Sequence, residues 1–157
     1  MTNNQLDEID LGILKLLQED ARLTHKEIAH RLHKTITPIH IRVRRLYDEG
    51  YIKRYTAILD AKKIGKGLIA YTQVQIKQHT QESLMSFEKE VIKLKEVMEC
   101  HHMAGEYDFL LRIAIRDMDE YHKLVMTKLS KLPDVGTMNS VFVMSEAKNE
   151  TGYELGK

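Results

Sequence analysis

The chain has one cysteine, Cys100, no tryptophan and only two prolines in 157 residues. A lone cysteine excludes an internal disulfide, and its plain reading is a reducing cytoplasm. No apolar run approaches the ~18 residues that a membrane span requires. The opening MTNNQLDEIDLG lacks the basic-then-apolar order of a secretory signal, so no membrane is expected among the partners. The total charge of +1 does not by itself point to a polyanion.

What is present is a globular composition, 43% apolar and 30% charged. The length suits one medium domain or two small ones. Charge is unevenly spread. Residues 1–30 hold three Lys or Arg against six Asp or Glu. Residues 31–54 hold seven basic side chains against two acidic ones, whereas 61–157 hold fourteen of each sign. A basic stretch in an otherwise balanced chain is a local footprint for a polyanion, and a solvated charged helix is the plain alternative.

The first third has helical periodicity. Asp7 is placed to cap a helix, with Asp10 in its first turn suiting the positive end of the macrodipole. Leu6, Ile9, Ile13, Leu16 and Leu17 form its apolar stripe. Thr24 and Glu27 make a capping box for a short second helix that buries Ile28, Ala29 and Leu32. Thr35 caps a third helix running to about Glu49, where Gly50 offers a left-handed stop. The run YIKRYTAIL then reads as a strand, so the predicted unit is a winged helix-turn-helix.

The third helix divides into two faces. Ile36, Ile39, Val43, Leu46 and Tyr47 are expected to pack inward. Thr37, Pro38, Ile41, Arg44 and Arg45 point the other way, with His40 and Arg42 on the flanks. Pro38 sits in the first turn, where its missing N–H breaks no bond. Small and donor-bearing groups followed by arginines suit a helix entering the major groove of double-stranded DNA. An outward Ile41 can contact a thymine methyl, although scattered surface isoleucines are common.

From about Lys66 the period becomes that of a sheet. LIAYTQVQIK alternates, with Leu68, Ala70, Thr72, Val74 and Ile76 on one face. Residues 81–95 form a helix through Leu84, Phe87, Val91 and Leu94. EVMECHHM and YDFLLRIAIR make a hairpin through Ala104, Gly105 and Glu106. Asp117 caps a helix through Tyr121, Leu124, Val125 and Leu129, and TMNSVFVMS after Pro133 is the last strand. The order β-α-β-β-α-β is the ferredoxin-like split pattern, so the fold class is α+β. Both helices cover one sheet face. The other carries Ile69, Tyr71, Leu110, Ala114, Val141 and Val143, a surface for self-association.

Taken together, LDEIDLGILKLLQEDAR, RVRRLYDEGYIKRYTAILD and GEYDFLLRIAIRDMDEYHKLV resemble the Lrp/AsnC family of prokaryotic transcription regulators over nearly the whole chain. The resemblance implies a DNA-binding domain at 1–60, a ligand-sensing and oligomerising domain at 61–157, and dimers assembling into octamers. It also implies an amino-acid effector at a subunit interface beside Gly105, Glu106, Tyr107 and Asp108. Backbone N–H groups near Gly105 suit a carboxylate, and Glu106 or Asp108 an ammonium. The alternative is that Gly105 only permits the turn while Asp108 satisfies backbone donors. Met103 and Met138, if they line the pocket, favour an apolar or sulfur-containing amino acid.

The chain departs from the family pattern between the second and third helices, where His33-Lys34 replaces Gly-Leu. His33 must tolerate a left-handed backbone. Lys34 gives up an apolar contact for a phosphate contact, joining Thr35, Thr37, Pro38, His40, Ile41, Arg42, Arg44 and Arg45 as the expected DNA-facing set.

Two rival readings remain. Cys100, His101 and His102 are metal-ligand types, but neighbours on a strand point to opposite faces. Some relatives of this architecture decarboxylate tetrapyrroles, yet the chain shows no nucleophile and base at a recognisable spacing. Neither a metal site, a catalytic residue nor a cofactor is assigned.

Overall fold

The computed structural model describes residues 6–156. By their contacts, Met1–Ile58 and Lys148–Lys157 form one compact unit and Leu59–Ala147 another. A division after residue 60 leaves the tail from Lys148 with the second unit, whereas its contacts group it with the first. The Gln18 side chain accepts from Tyr153 N–H at 2.7 Å and donates to its carbonyl at 3.1 Å.

The first unit holds three helices: α1 (Glu8–Glu19), α2 (His25–Arg31) and α3 (Ile36–Asp48). Asp7 and Asp10 cap α1 reciprocally, and Thr24 and Glu27 do the same for α2. Ile13, Ile28, Ile39 and Leu46 are fully buried where the helices meet. Burying side chains of this size stabilises by about 1.5–3 kcal/mol each.

The turn into α3 is a Schellman closure. His33 adopts φ 53°, its N–H reaches the His30 carbonyl, and Lys34 N–H donates to the Ala29 carbonyl at 2.8 Å. Thr35 stands at the N-cap of α3, but its hydroxyl makes no capping bond. Gly50, at φ 81°, ends α3 as expected.

Two expectations for this unit fail. Ile36 and Tyr47 are half exposed, so the buried stripe of α3 narrows to Ile39, Val43 and Leu46. At about 100° per residue the two outliers lie roughly 50° and 70° from the centre of that stripe, on its edges. Nor does YIKRYTAIL form a strand, and no paired wing strand is found among the described residues. Its composition favours an extended backbone, but a strand also needs a partner for its hydrogen bonds. Tyr55, Ile58 and Leu59 remain exposed, and the Tyr55 ring lies parallel to that of Tyr47 with centroids 6.3 Å apart.

In the second unit, β1 (Leu68–Ile76), α4 (Gln81–Val91), β2 (Val97–His102), β3 (Phe109–Ile115), α5 (Met118–Thr127) and β4 (Val135–Phe142) follow the split order. The antiparallel sheet runs β2-β3-β1-β4. Ala70, Thr72, Val74 and Ile76 alternate inward along β1, beneath Phe87 and Val91 of α4 and Leu124 of α5. Helix α4 stops at Val91, short of 95, while Leu94 still packs on the core. Buried Thr72 has its hydroxyl 3.0 Å from both Tyr121 and Ser140, which also bond each other. Each core hydroxyl is therefore satisfied.

On the face opposite the helices, Ile69, Tyr71, Leu110 and Val143 are half-buried and Val141 is exposed, whereas Ala114 is already buried. This face is more polar than the apolar set implies. Arg112 lies across from Tyr71 and Glu99 in the ladder, with a guanidinium nitrogen 3.5 Å from Glu99 Oε1. A register shift between Val97 and Glu99 turns Glu99 and His101 to this face and leaves Met98 exposed.

Candidate nucleic-acid interface and effector loop

The outward face of α3 begins with Lys34, Thr35, Thr37 and Pro38, all exposed, and continues through Ile41, which is 61% exposed. Arg44 extends into solvent with only a 3.6 Å contact to Asp48, one turn on. His40 is exposed beside it, its Nδ1 3.2 Å from Nδ1 of His25. Apolar, hydroxyl, imidazole and guanidinium groups thus share one accessible surface.

Arg42 and Arg45 are placed differently from that surface. Arg42 turns toward α1, donating to Asp7 at 2.6 Å and Asp10 at 2.8 Å. Arg45 meets the other oxygen of Asp10 at 2.6 Å. Asp10 is only 1% exposed, so two guanidinium groups neutralise one buried carboxylate. Hydrogen bonding from Asp10 N–H, then from Arg42, holds the Asp7 carboxyl below its ordinary value. Bonds to Asp10 and Asp7 hold the Arg42 guanidinium more firmly protonated.

Part of the charge asymmetry is therefore internal pairing between the acidic start and the basic segment. Asp10, read in the sequence only as a first-turn acid, holds two of the arginines expected at the DNA surface, and that reading missed the pairing. The available signal was a matching spacing: Asp7 and Asp10 on α1, Arg42 and Arg45 on α3, each three apart.

In the second unit the segment from Met103 to Asp108 joins β2 to β3, and Met103 N–H donates to the Asp108 carbonyl at 2.8 Å. Gly105 has φ 148° with open space where a Cβ would stand. Met103, Gly105 and Glu106 are exposed, and Tyr107 is half-buried. Asp108 is held from two sides: Oδ2 accepts from Ile76 N–H at 2.7 Å, and Oδ1 lies 3.0 Å from His79 Nδ1. Its carboxylate ties the loop to the end of β1, which leaves Glu106 as the exposed acid here. Met138 sits opposite Val74 and packs on the hydrophobic core, so the structure does not bring it to the loop's exposed tip.

Burial, with Glu88 adding, pushes the Cys100 thiol up to about 11, which disfavours the thiolate that metals bind. His101 contacts Glu99 at 3.2 Å, and His102 stacks on Phe109. Among the described residues no group of three or more His, Cys, Asp or Glu is arranged to hold a metal ion. No helix among them is long and apolar enough to cross a membrane.

Comparison with known proteins matches residues 69–153 to the Lrp/AsnC ligand binding domain and residues 6–53 to a winged helix-turn-helix DNA-binding domain. A proline dehydrogenase transcriptional activator of Rhizobium radiobacter is 38% identical over 149 residues, 95% of each chain. The leucine-responsive regulatory protein of Escherichia coli (strain K12) is 36% identical over 91% of this chain and 87% of its own. The crystal structure of a transcriptional regulator from Neisseria meningitidis in complex with L-Met is similar at a TM-score of 0.90 and 32% identity. That match covers 96% of this chain and 97% of the other.

Proposed function

Because the chain belongs to the Lrp/AsnC family of DNA-binding transcription regulators, we propose that it reads double-stranded DNA through the outward face of α3 and changes its assembly on binding an amino acid. The observation that carries the DNA reading is the accessible row Thr37, Ile41 and Arg44 beside Lys34, on a helix latched to its unit through Asp10. Neutralising phosphates releases counterions, so binding should weaken steeply with salt. A gel-shift titration of the full chain against its own promoter at several salt concentrations tests this. Salt-independent binding, or none, overturns it.

The effector is an amino acid with an apolar or sulfur-containing side chain, held at the exposed loop of Met103, Gly105, Glu106 and Tyr107. Asp108 shapes that loop. Support comes from Gly105 and its free backbone approach, and from the L-Met bound by the Neisseria relative. A thermal-shift screen of the twenty amino acids tests it, since a ligand of the native state raises the melting temperature by mass action. No shift with any of them would remove the effector.

The partly apolar sheet face makes the homodimer, and dimers assemble further to an octamer, in the cytoplasm. Val143→Asp should disrupt the dimer and lower the mass seen by light scattering, because an unpaired carboxylate is costly to bury. The chain acts as a regulator and not as an enzyme. Decarboxylation of an added tetrapyrrole would contradict that.

A further inference from the structure

His25 is the first residue of α2 and His40 lies in α3, yet their Nδ1 atoms are 3.2 Å apart and their rings meet edge to face at 4.9 Å. They line one side of a cavity of about 380 Å³ with Val43, Arg44, Tyr47 and Tyr55. The sequence reading assigned His40 to the DNA-facing surface and gave His25 no role.

A neutral imidazole carries one N–H and one bare nitrogen. Two Nδ1 atoms at this distance form a hydrogen bond only when one donates and the other accepts. The ring that donates from Nδ1 then has a bare Nε2, an acceptor. The ring that accepts at Nδ1 has its proton on Nε2, a donor. The contact between α2 and α3 thus forces opposite characters on the two outer nitrogens. Base edges in the major groove are told apart by this property: guanine presents acceptors at N7 and O6, while cytosine and adenine present amino donors.

We propose that His25 is a specificity-determining residue of the DNA interface, acting by coupling its own tautomer to the one with which His40 meets a base edge. The inference rests on α3 being the helix presented to DNA. His25 is then a positioning residue: it need not touch DNA, and its effect reaches the base through His40.

The full-length protein is tested in two ways. Imidazole ¹⁵N shifts of the wild type, free and bound to DNA, should show one ring protonated at Nδ1 and the other at Nε2. Both rings protonated at Nε2 would overturn the proposal without any variant. Selection from a randomised duplex library is then compared among wild type, His25→Ala, His40→Ala and the double variant. Losing one hydrogen bond of ordinary strength should relax preference at one base pair by about 2- to 10-fold in either single variant. The double variant should be no worse than His40→Ala. Additive losses, or preferences at different base pairs, would overturn it. If Arg44→Ala weakens binding while both histidine variants select the wild-type sequence, the family reading stands and this inference falls. If none of the variants alters binding, α3 is not the DNA-facing helix and both fall.

Discussion

The helical unit and the sheet unit each hold an aspartate largely withdrawn from solvent, and they satisfy it by different means. Asp10 takes two arginines from a neighbouring helix. Asp108 takes a backbone N–H from a neighbouring strand and one histidine contact. In the first case the pairing draws cations away from the surface expected to meet DNA. In the second it draws the carboxylate itself away from the surface expected to meet a ligand. The side chains that remain available, Lys34 and Arg44 in one unit and Glu106 in the other, are those the fold has not already used. What a charged residue can do for a partner depends first on what it is doing for the chain.

The largest effect should follow from breaking the Asp10 pairings. Asp10→Ala removes the carboxylate from Arg42 and Arg45, and a broken buried ion pair typically costs 3–5 kcal/mol. Both arginines keep some access to water, 28% and 43% exposed as side chains, so about 2 kcal/mol is expected. Urea denaturation followed by circular dichroism measures it. A loss under 0.5 kcal/mol would mean the latch is ornamental.

Asp108→Ala should cost less, about 1–2 kcal/mol, by leaving the Ile76 N–H without its acceptor. Asp108→Asn, which keeps an acceptor, should recover part of that. If stability holds in both variants while the response to amino acids vanishes, Asp108 binds the ligand directly and the parallel with Asp10 fails.

His33→Gly works in the opposite direction. Relieving a side chain at φ 53° in the Schellman turn should stabilise the helical unit by about 1 kcal/mol. A melting temperature that does not rise would show that His33 makes a compensating contact.

The smallest expected difference compares two arginines and one aspartate. Arg44→Ala should weaken DNA binding more than Arg45→Ala, because Arg45 is engaged by Asp10; gel shifts give the ratio, and equal losses would return Arg45 to the interface. For Asp7, whose folded carboxyl titrates below the ordinary 3.8, the stabilisation is present above that value and lost as pH falls through the lower folded one. Unfolding midpoints of wild type and Asp7→Asn should therefore converge only in acid. Convergence already near neutral pH would contradict the pairing.

Elements whose cause is local were legible. The cap at Asp7, the capping box at Thr24, the stop at Gly50, the alternation along β1 and the Asp117 cap of α5 all stand where spacing placed them. The strand expected in YIKRYTAIL was not, because strand composition is local while a hydrogen-bonding partner is not. The polarity around Arg112 was hidden by the register shift between Val97 and Glu99, since one extra residue changes which side chains share a face.

By itself the sequence determined the periodicities, the caps, the order of elements and the types of group on each face. These depend on neighbours a few residues away, and a 3.6- or 2-residue period carries that information. Only the tertiary structure decided which of those groups meet. Asp10 reaches Arg42 and Arg45 across more than thirty residues, His25 reaches His40 across fifteen, and Asp108 reaches Ile76 across thirty-two. Each of these contacts needs two elements packed at a particular distance and rotation. That arrangement follows from how buried side chains such as Ile13, Ile39 and Phe109 fill the space between elements, and spacing within one element does not fix it.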